Sequence, residues 1–189
     1  MPTSDVEGPI TEAALDPERF RAALGSFATG VSVMTTVLDG VPHGMTASAV
    51  SSVSLDPPLV LVCVDREASM ATQALDAGVF ALSFLGEDQG ELATAFADPA
   101  RPEGDEQFVG VTTGVQATGA PVLHGSVGWV DCRLWSVTDG GDHVVLIGEV
   151  VALGADRDRP LLYYRGAFGQ FRAAELPEPD ATPDTGGAS

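Results

Sequence analysis

Apolar residues first recur at helical spacing. Phe20, Ala23, Leu24 and Phe27 follow Asp16-Pro17-Glu18-Arg19. Asp16 suits an N-cap and Pro17 the first helical position, so a helix is expected from there to Gly30. The period then shortens. Val31–Val37 is a run of β-branched residues, Asp39-Gly40 marks a turn, and His43–Val50 answers as a second strand. Leu59–Val64 is apolar at every position, as in a strand covered on both faces, and Asp56-Pro57-Pro58 leads into it. Ser69–Ala77 and Asp88–Ala97 read as short helices, with a strand over Val79–Leu85 between them. Asp98–Glu106 reads as a loop. Val127–Val137 and Val144–Leu153 form a long hairpin across Thr138-Asp139-Gly140-Gly141. Strands outnumber helices and come in hairpins. The expected fold is mainly β: a closed antiparallel barrel with a few short covering helices.

The ends break the pattern. Residues 1–16 hold four acids and no base; residues 173–189 hold four acids and three prolines. Such segments bury too little apolar area to offset the entropy of ordering them. Disordered tails are therefore expected over 1–16 and 173–189, around one folded domain at 17–172. A chain of 189 residues with 44% hydrophobic residues can build one core without metal or disulfide staples.

Charge narrows the function classes. The net charge is −18, and all nine basic residues are arginine. No basic stripe exists to displace counterions from nucleic acid, and an anionic membrane surface would repel the chain. Without lysine there is no P-loop, Schiff base or Ser-Lys dyad. The first sixteen residues lack a signal peptide's apolar segment, and the longest apolar run, Pro57–Val64, is far too short to span a bilayer. Cys63 and Cys132 cannot form a disulfide framework or a zinc quartet; as small strand residues they fit a reducing, cytoplasmic compartment.

Four segments are able to carry chemistry. Thr46-Ala47-Ser48-Ala49-Val50-Ser51-Ser52-Val53-Ser54 holds five hydroxyls. In one continuous strand, Thr46, Ser48, Ser52 and Ser54 share a face, with Ala47, Ala49 and Val53 opposite. A flat heteroaromatic ring and a phosphate can lie along such a strip, though it is equally an ordinary solvent-facing surface. Next, Cys63-Val64-Asp65-Arg66 ends an apolar strand in charges, with Ser69 at a helix start. A helix start beside a guanidinium suits an anion; the plain alternative is an Asp65–Arg66 surface pair with Ser69 as a cap. Third, Gly141-Asp142-His143 places a histidine on a hairpin turn with a carboxylate to orient it, though a lone loop histidine is equally a structural or solvated residue. His43 and His124 have no comparable setting. Fourth, Tyr163-Tyr164-Arg165-Gly166 combines aromatics with a cation that can bracket a nucleotide, or simply closes the core. Gly125-Ser126-Val127-Gly128 lacks the spacing of a hydrolase elbow, and no G-x-G-x-x-G follows a strand.

The order of these segments matters more than any one of them. Phe20-Arg21-x-Ala23-Leu24-Gly25-x-Phe27-Ala28-Thr29-Gly30-Val31 resembles the opening of the short-chain flavin reductases. Gly44-Met45-Thr46-Ala47-Ser48 looks like their flavin-binding strand, and Ser51-Ser52-Val53-Ser54-Leu55-Asp56-Pro57-Pro58-Leu59-Val60 is nearly a signature of that family. Gly141-Asp142-His143, Gly148-Glu149-Val150 and Pro160-Leu161-Leu162-Tyr163-Tyr164-Arg165-Gly166 follow at matching intervals. The resemblance covers about 18–171.

That resemblance implies an FMN-binding split barrel, Greek-key in type, working as a homodimer. It implies reduction of free FMN or FAD by NADH or NADPH, and delivery of reduced flavin to a separate monooxygenase. By the same resemblance Thr46, Ala47, Ser48, Ala49, Ser52, Val53 and Ser54 hold the ring and phosphate. Cys63, Val64 and Asp65 flank the ribityl-phosphate region, with Ser69 as a phosphate contact. His143 lies on the nicotinamide side as the catalytic residue, and Arg165 and Gly166 close the pocket. Two departures stand out. The run after the apolar strand is Arg66-Glu67-Ala68-Ser69-Met70-Ala71-Thr72, not Arg-Ser-x-Thr or Lys-x-Ser-x-Thr. Gln107 replaces the usual base before Phe108-Val109-Gly110.

Hydride transfer needs two aligned rings about 3–3.5 Å apart and no protein nucleophile. This agrees with the lack of a triad, a metal cluster or paired carboxylates in the sequence. A flavin carrier or sensor on the same barrel is the main rival, separable by NADH turnover. An oxidase of the pyridoxamine-phosphate type expects more basic residues than this chain has. A flavin-free binding barrel would stay colourless with added flavin.

Overall fold

A computed structural model of the chain describes residues 16–156 and 158–172. The two tails expected at 1–16 and 173–189 lie outside these residues, Asp16 excepted. Helix α1 (Pro17–Leu24) starts as the sequence requires: Asp16 Oδ1 accepts the Glu18 N–H at 3.0 Å, with Pro17 at the first position. It ends at Gly25, a turn earlier than Gly30, and none of its residues is buried.

The main sheet has seven strands: β2 (Ser32–Leu38), β3 (Val41–Ala47), β4 (Val50–Leu55), β5 (Pro58–Asp65), β6 (Val79–Phe84), β9 (Gly128–Gly140) and β10 (His143–Ala155). A short strand β1 (Thr29–Gly30) precedes them, and β7 (Thr113–Val115) and β8 (Pro121–Leu123) form a small hairpin. The order in the main sheet is β3-β2-β6-β9-β10-β5-β4, every pair antiparallel. In a flat sheet six steps would separate β3 from β4 by about 29 Å. Only Ser48 and Ala49 join them, which allows at most about 11 Å between the strand ends. The sheet must therefore curl until its two edges meet. They meet without pairing, and this gives an antiparallel barrel split along one seam. The expected single strand over His43–Val50 is thus two strands on opposite edges, with a corner at Ser48–Ala49.

Met34, Val62, Val64, Phe80, Leu82 and Leu146 fill the barrel, and Met70 and Ala74 of α2 (Ser69–Ala77) plug it. Gly148 must lack a side chain, because a Cβ there would lie 2.4 Å from the Phe80 ring. A second cluster, with Val31, Leu85, Phe96 and Leu123, sits under α3 (Gly90–Ala97). β11 (Leu161–Tyr164) pairs with β1 on one side and with β12 (Ala167–Gln170) on the other, beside the barrel. Among the described residues, no helix is long and apolar enough to cross a membrane.

Candidate functional site

The β3–β4 corner, the end of β5, the start of α2 and the tip of the β9–β10 hairpin come together at one end of the sheet. Ala49 O accepts the Cys63 N–H at 2.9 Å, which fastens the corner to β5. His143 pairs with Asp65 in register, and Val144 with Val64. Asp65 Oδ1 accepts the Glu67 N–H at 2.9 Å and so turns the chain toward α2. Ala68 caps that helix without a side-chain bond, and Ser69 is exposed on its first turn. The amides of that turn have no capping side chain, and such a helix start attracts an anion.

The hairpin runs further than expected. β9 and β10 stay paired out to Gly140–His143, with only Gly141 and Asp142 in the turn and Gly141 at φ 83°. Glycine at the first position of a two-residue turn matches the twist of the strands. His143 Nδ1 lies 2.8 Å from Asp142 Oδ1. That hydrogen bond, then the imidazole charge, holds the Asp142 carboxyl below its ordinary range; Arg21 of α1 adds to the effect. Arg165, in the β11–β12 turn, lies against the end of α1: its N–H donates to Gly25 O at 3.0 Å, and Nη2 donates to Ser26 Oγ at 3.1 Å. Its guanidinium sits 5.4 Å from the centre of the Tyr164 ring.

The hydroxyl strip is not one face. Thr46 Oγ1 turns inward and donates to Ala93 O at 2.7 Å, and Ala47 is buried in the core. Ser48 and Ala49 are exposed at the corner. Further along, a bulge between Ser52 and Ser54 makes Val53 an extra residue, so parity fails there too. Ser54 Oγ accepts the Asp56 N–H at 3.2 Å and serves its own turn. Ser52 and Val53 remain exposed. Ser69 is not the cap of α2, and Asp65 does not pair with Arg66; Arg66 Nη2 instead bonds Asp139 Oδ1 at 2.9 Å.

Two clefts flank this region. One of about 410 Å³ opens between Phe27, Thr29, Ser32, Ser48, Val50 and Pro160. A wider one of about 810 Å³ lies between α1 and the β11–β12 turn, where Arg165 and Gly166 form part of the wall. Both volumes fall in the range of about 300–1,000 Å³ typical of small-molecule sites. Of the expected flavin contacts, Ser48 lines the first cleft and Arg165 and Gly166 the second. Thr46 and Ala47 back the corner from inside.

His43 was passed over by the sequence pattern. It is 3% exposed, and Nε2 lies 3.1 Å from Ser69 Oγ. Burial, then the Arg101 charge, pushes its pKa below the ordinary 6.5, while Glu103 pulls the other way. The folded protein thus binds fewer protons at His43 than the unfolded chain does. Between the depressed value and about 6.5, stability falls as pH falls. Urea midpoints at neutral and mildly acidic pH should show a smaller acid loss for His43→Gln than for the wild type. Parallel losses in the two proteins would remove His43 from the acid response. Cys132 is no nucleophile: burial, and then Asp131, push its thiol up to about 12.

The comparisons agree with this geometry. A profile of the "Flavin reductase like domain" matches residues 24–172. The reductase subunit HsaB of a flavin-dependent monooxygenase from Rhodococcus jostii is 38% identical over 179 residues, covering 93% of this chain and 86% of that protein. The crystal structure of BorF, the flavin reductase component of a bacterial two-component tryptophan halogenase, superposes with a TM-score of 0.79. It is 40% identical and covers 84% of this chain and 99% of its own. The NADH:FAD oxidoreductase of Streptomyces globisporus, solved with NAD and FAD fragments, gives a TM-score of 0.77 at 34% identity, covering 90% of this chain and 99% of that one. Since the matching profile spans the barrel from the end of α1 to the last described residue, this chain belongs to the flavin reductase family.

Proposed function

We propose that this protein reduces free flavin with NADH and releases it to a separate monooxygenase. The observation that carries the reading is the meeting of the open β3–β4 corner and the uncapped start of α2 with the histidine-bearing hairpin tip. The residues present fit a flavin. Exposed hydroxyls at Ser48 and Ser52 and the free edge of β4 offer donors and acceptors to the ring, and α2 offers amides to a phosphate. Bound flavin supplies a two-electron acceptor for the hydride of NADH. Ser48, Ala49, Ser52 and Val53 would border the ring, with Thr46 and Ala47 fixing the corner and Ser54 its far turn. Cys63, Asp65 and Ser69 would flank the phosphate end, while Arg165 and Gly166 close the α1 side. Val64, expected there as well, is instead a core residue pointing into the barrel, because strand alternation puts it on the face opposite Cys63 and Asp65. The phosphate next to the ribityl chain is common to FMN and FAD, so both are accepted. His143 gives Nδ1 to Asp142 and leaves Nε2 for the nicotinamide side. Asp65, Asp139 and Asp142 lie at that tip, which disfavours the extra phosphate of NADPH.

The same reading includes a homodimer. Leu59, Leu61 and Cys63 of β5 stand beside Val145 and Ile147 of β10 on the outside of the barrel, half-buried in one chain. A continuous apolar sheet face of this kind suits a second copy. The names of the relatives support a monooxygenase as the recipient of the product. Both cysteines are free thiols, which suits the cytoplasm.

Steady-state oxidation of NADH, with FMN and FAD varied separately, tests the function. Turnover should depend on added flavin. A protein that binds flavin yet shows no flavin-dependent NADH oxidation is a carrier, and the proposal fails.

A further inference from the structure

Arg66 lies in the loop between β5 and α2, and every bond found for it runs to the hairpin tip. Its backbone N–H donates to Asp142 O at 3.0 Å. Its Nη2 donates to Asp139 Oδ1 at 2.9 Å, to Gly141 O at 3.2 Å and to His143 O at 3.4 Å; Nε reaches Gly141 O at 3.3 Å. Asp139 Oδ1 also accepts the Gly141 N–H at 2.9 Å, so one carboxylate joins the guanidinium and the turn. Gly140, Gly141 and Asp142 are exposed. A glycine turn of this kind is soft by itself. A planar guanidinium gripping three carbonyl or carboxylate groups fixes direction as well as distance.

Three residues after Arg66, Ser69 opens α2. The loop 66–68 therefore ties the start of α2 to the backbone of His143. We infer that Arg66 is a positioning residue for hydride transfer: it holds the His143 tip at a set offset from the α2 N-terminus, and does not serve as a phosphate ligand. This rests on the proposed nicotinamide-side role of His143. Ring-to-ring transfer tolerates little displacement, so loosening the tip costs rate while the flavin remains bound.

The test uses the full chain and the variants Arg66→Ala, Arg66→Lys, His143→Ala and the Arg66→Ala/His143→Ala double. The Arg66 side chain is 45% exposed, so its removal leaves the core untouched. Asp139→Asn removes the ion pair from the other side and serves as an independent second variant. Kinetics with varied NADH are combined with dissociation constants for FMN and riboflavin, and with amide exchange at residues 140–143. Arg66→Ala should lower kcat/KM for NADH by about tenfold, and lysine should restore part of it. Amides at the tip should exchange faster, and the FMN-to-riboflavin affinity ratio should hold. The double variant should be no worse than His143→Ala, because both changes remove one function.

Four results would overturn the inference. Wild-type NADH kinetics in Arg66→Ala, with His143→Ala impaired, would show that the clamp does not matter. A loss of FMN affinity with riboflavin unchanged would make Arg66 a phosphate ligand. Additive losses in the double variant would separate the two residues. Wild-type NADH kinetics in His143→Ala would overturn the assignment of His143 itself, and the role of Arg66 would fall with it.

Discussion

Ile147→Asp is expected to leave the protein monomeric and inactive while the barrel still folds. Along β10 the side chains alternate: Val144 and Leu146 are buried in the barrel, and Val145 and Ile147 point outward. Register places Ile147 opposite Leu61 and Val145 opposite Cys63, so the outward residues form adjoining rows. In one chain Ile147 is only half-buried, so the new carboxylate reaches water and costs the fold less than it costs the interface. Against a second copy it must be desolvated, which costs several kcal/mol per ion even after relaxation. That is enough to dissociate a dimer at micromolar protein. Cys63, a candidate flavin contact, lies in the same rows, so flavin reduction should fall with the dimer. The checks are a solution mass against the monomer value of 19.4 kDa, a thermal melt and an NADH assay. A wild-type mass at the monomer value ends the dimer proposal, as does an Ile147→Asp variant that still runs as a dimer.

Much of the barrel was legible because its signals are local. Asp16-Pro17 marks a helix start through one hydrogen bond and one fixed dihedral. The unbroken apolar run of β5 asks for cover on both faces; in one chain the barrel interior covers Val62 and Val64, while Leu59, Leu61 and Cys63 stay half-buried. The corner at Ser48–Ala49 has no such signal. Neither residue is a glycine, proline, asparagine or aspartate, and the chain turns there because the sheet closes, which is a long-range event. Strand parity does not run across that corner, and the bulge at Val53 breaks the alternation a second time. The hairpin was cut short for the opposite reason. Thr138, Asp139 and Gly140 include poor strand formers, yet an existing ladder extends through them.

The site was legible as a set of segments but not as contacts. Arg66 sits beside Asp65 in sequence and bonds Asp139 in space. His43 finds Ser69 26 residues away, and nothing around a lone histidine announces that. Gln107 looked like the loss of a cation. Its amide oxygen instead accepts the Gly44 N–H at 2.5 Å, and Arg101 Nε donates to Gly44 O at 3.1 Å. Those two side chains satisfy the open edge of β3 where a neighbouring strand would. A neutral amide can do this, and a lysine or arginine there would offer no acceptor.

His143→Ala should separate the two halves of the site. The side chain is 44% exposed at the hairpin tip, with Nδ1 held by Asp142. Hydride transfer needs no base, so the loss is one of nicotinamide placement. Turnover should fall, or the apparent KM for NADH should rise, by about 10- to 100-fold. Affinity for oxidised flavin should change by less than about tenfold, or about 1.4 kcal/mol. Ser52→Ala should do the reverse, weakening flavin first by about 0.5–3 kcal/mol for one lost hydrogen bond. On the shared neighbour β5, Ser52 pairs with Val60 and His143 with Asp65, five residues further on. That places the two about 17 Å apart along the strand. Sites so far apart act independently, so the double variant should show the sum of the two losses within about 0.5 kcal/mol. Strong coupling between them would mean that both residues touch one cofactor. If His143→Ala weakens flavin binding by more than about tenfold while the KM for NADH at saturating flavin stays normal, the division between hairpin tip and corner is wrong.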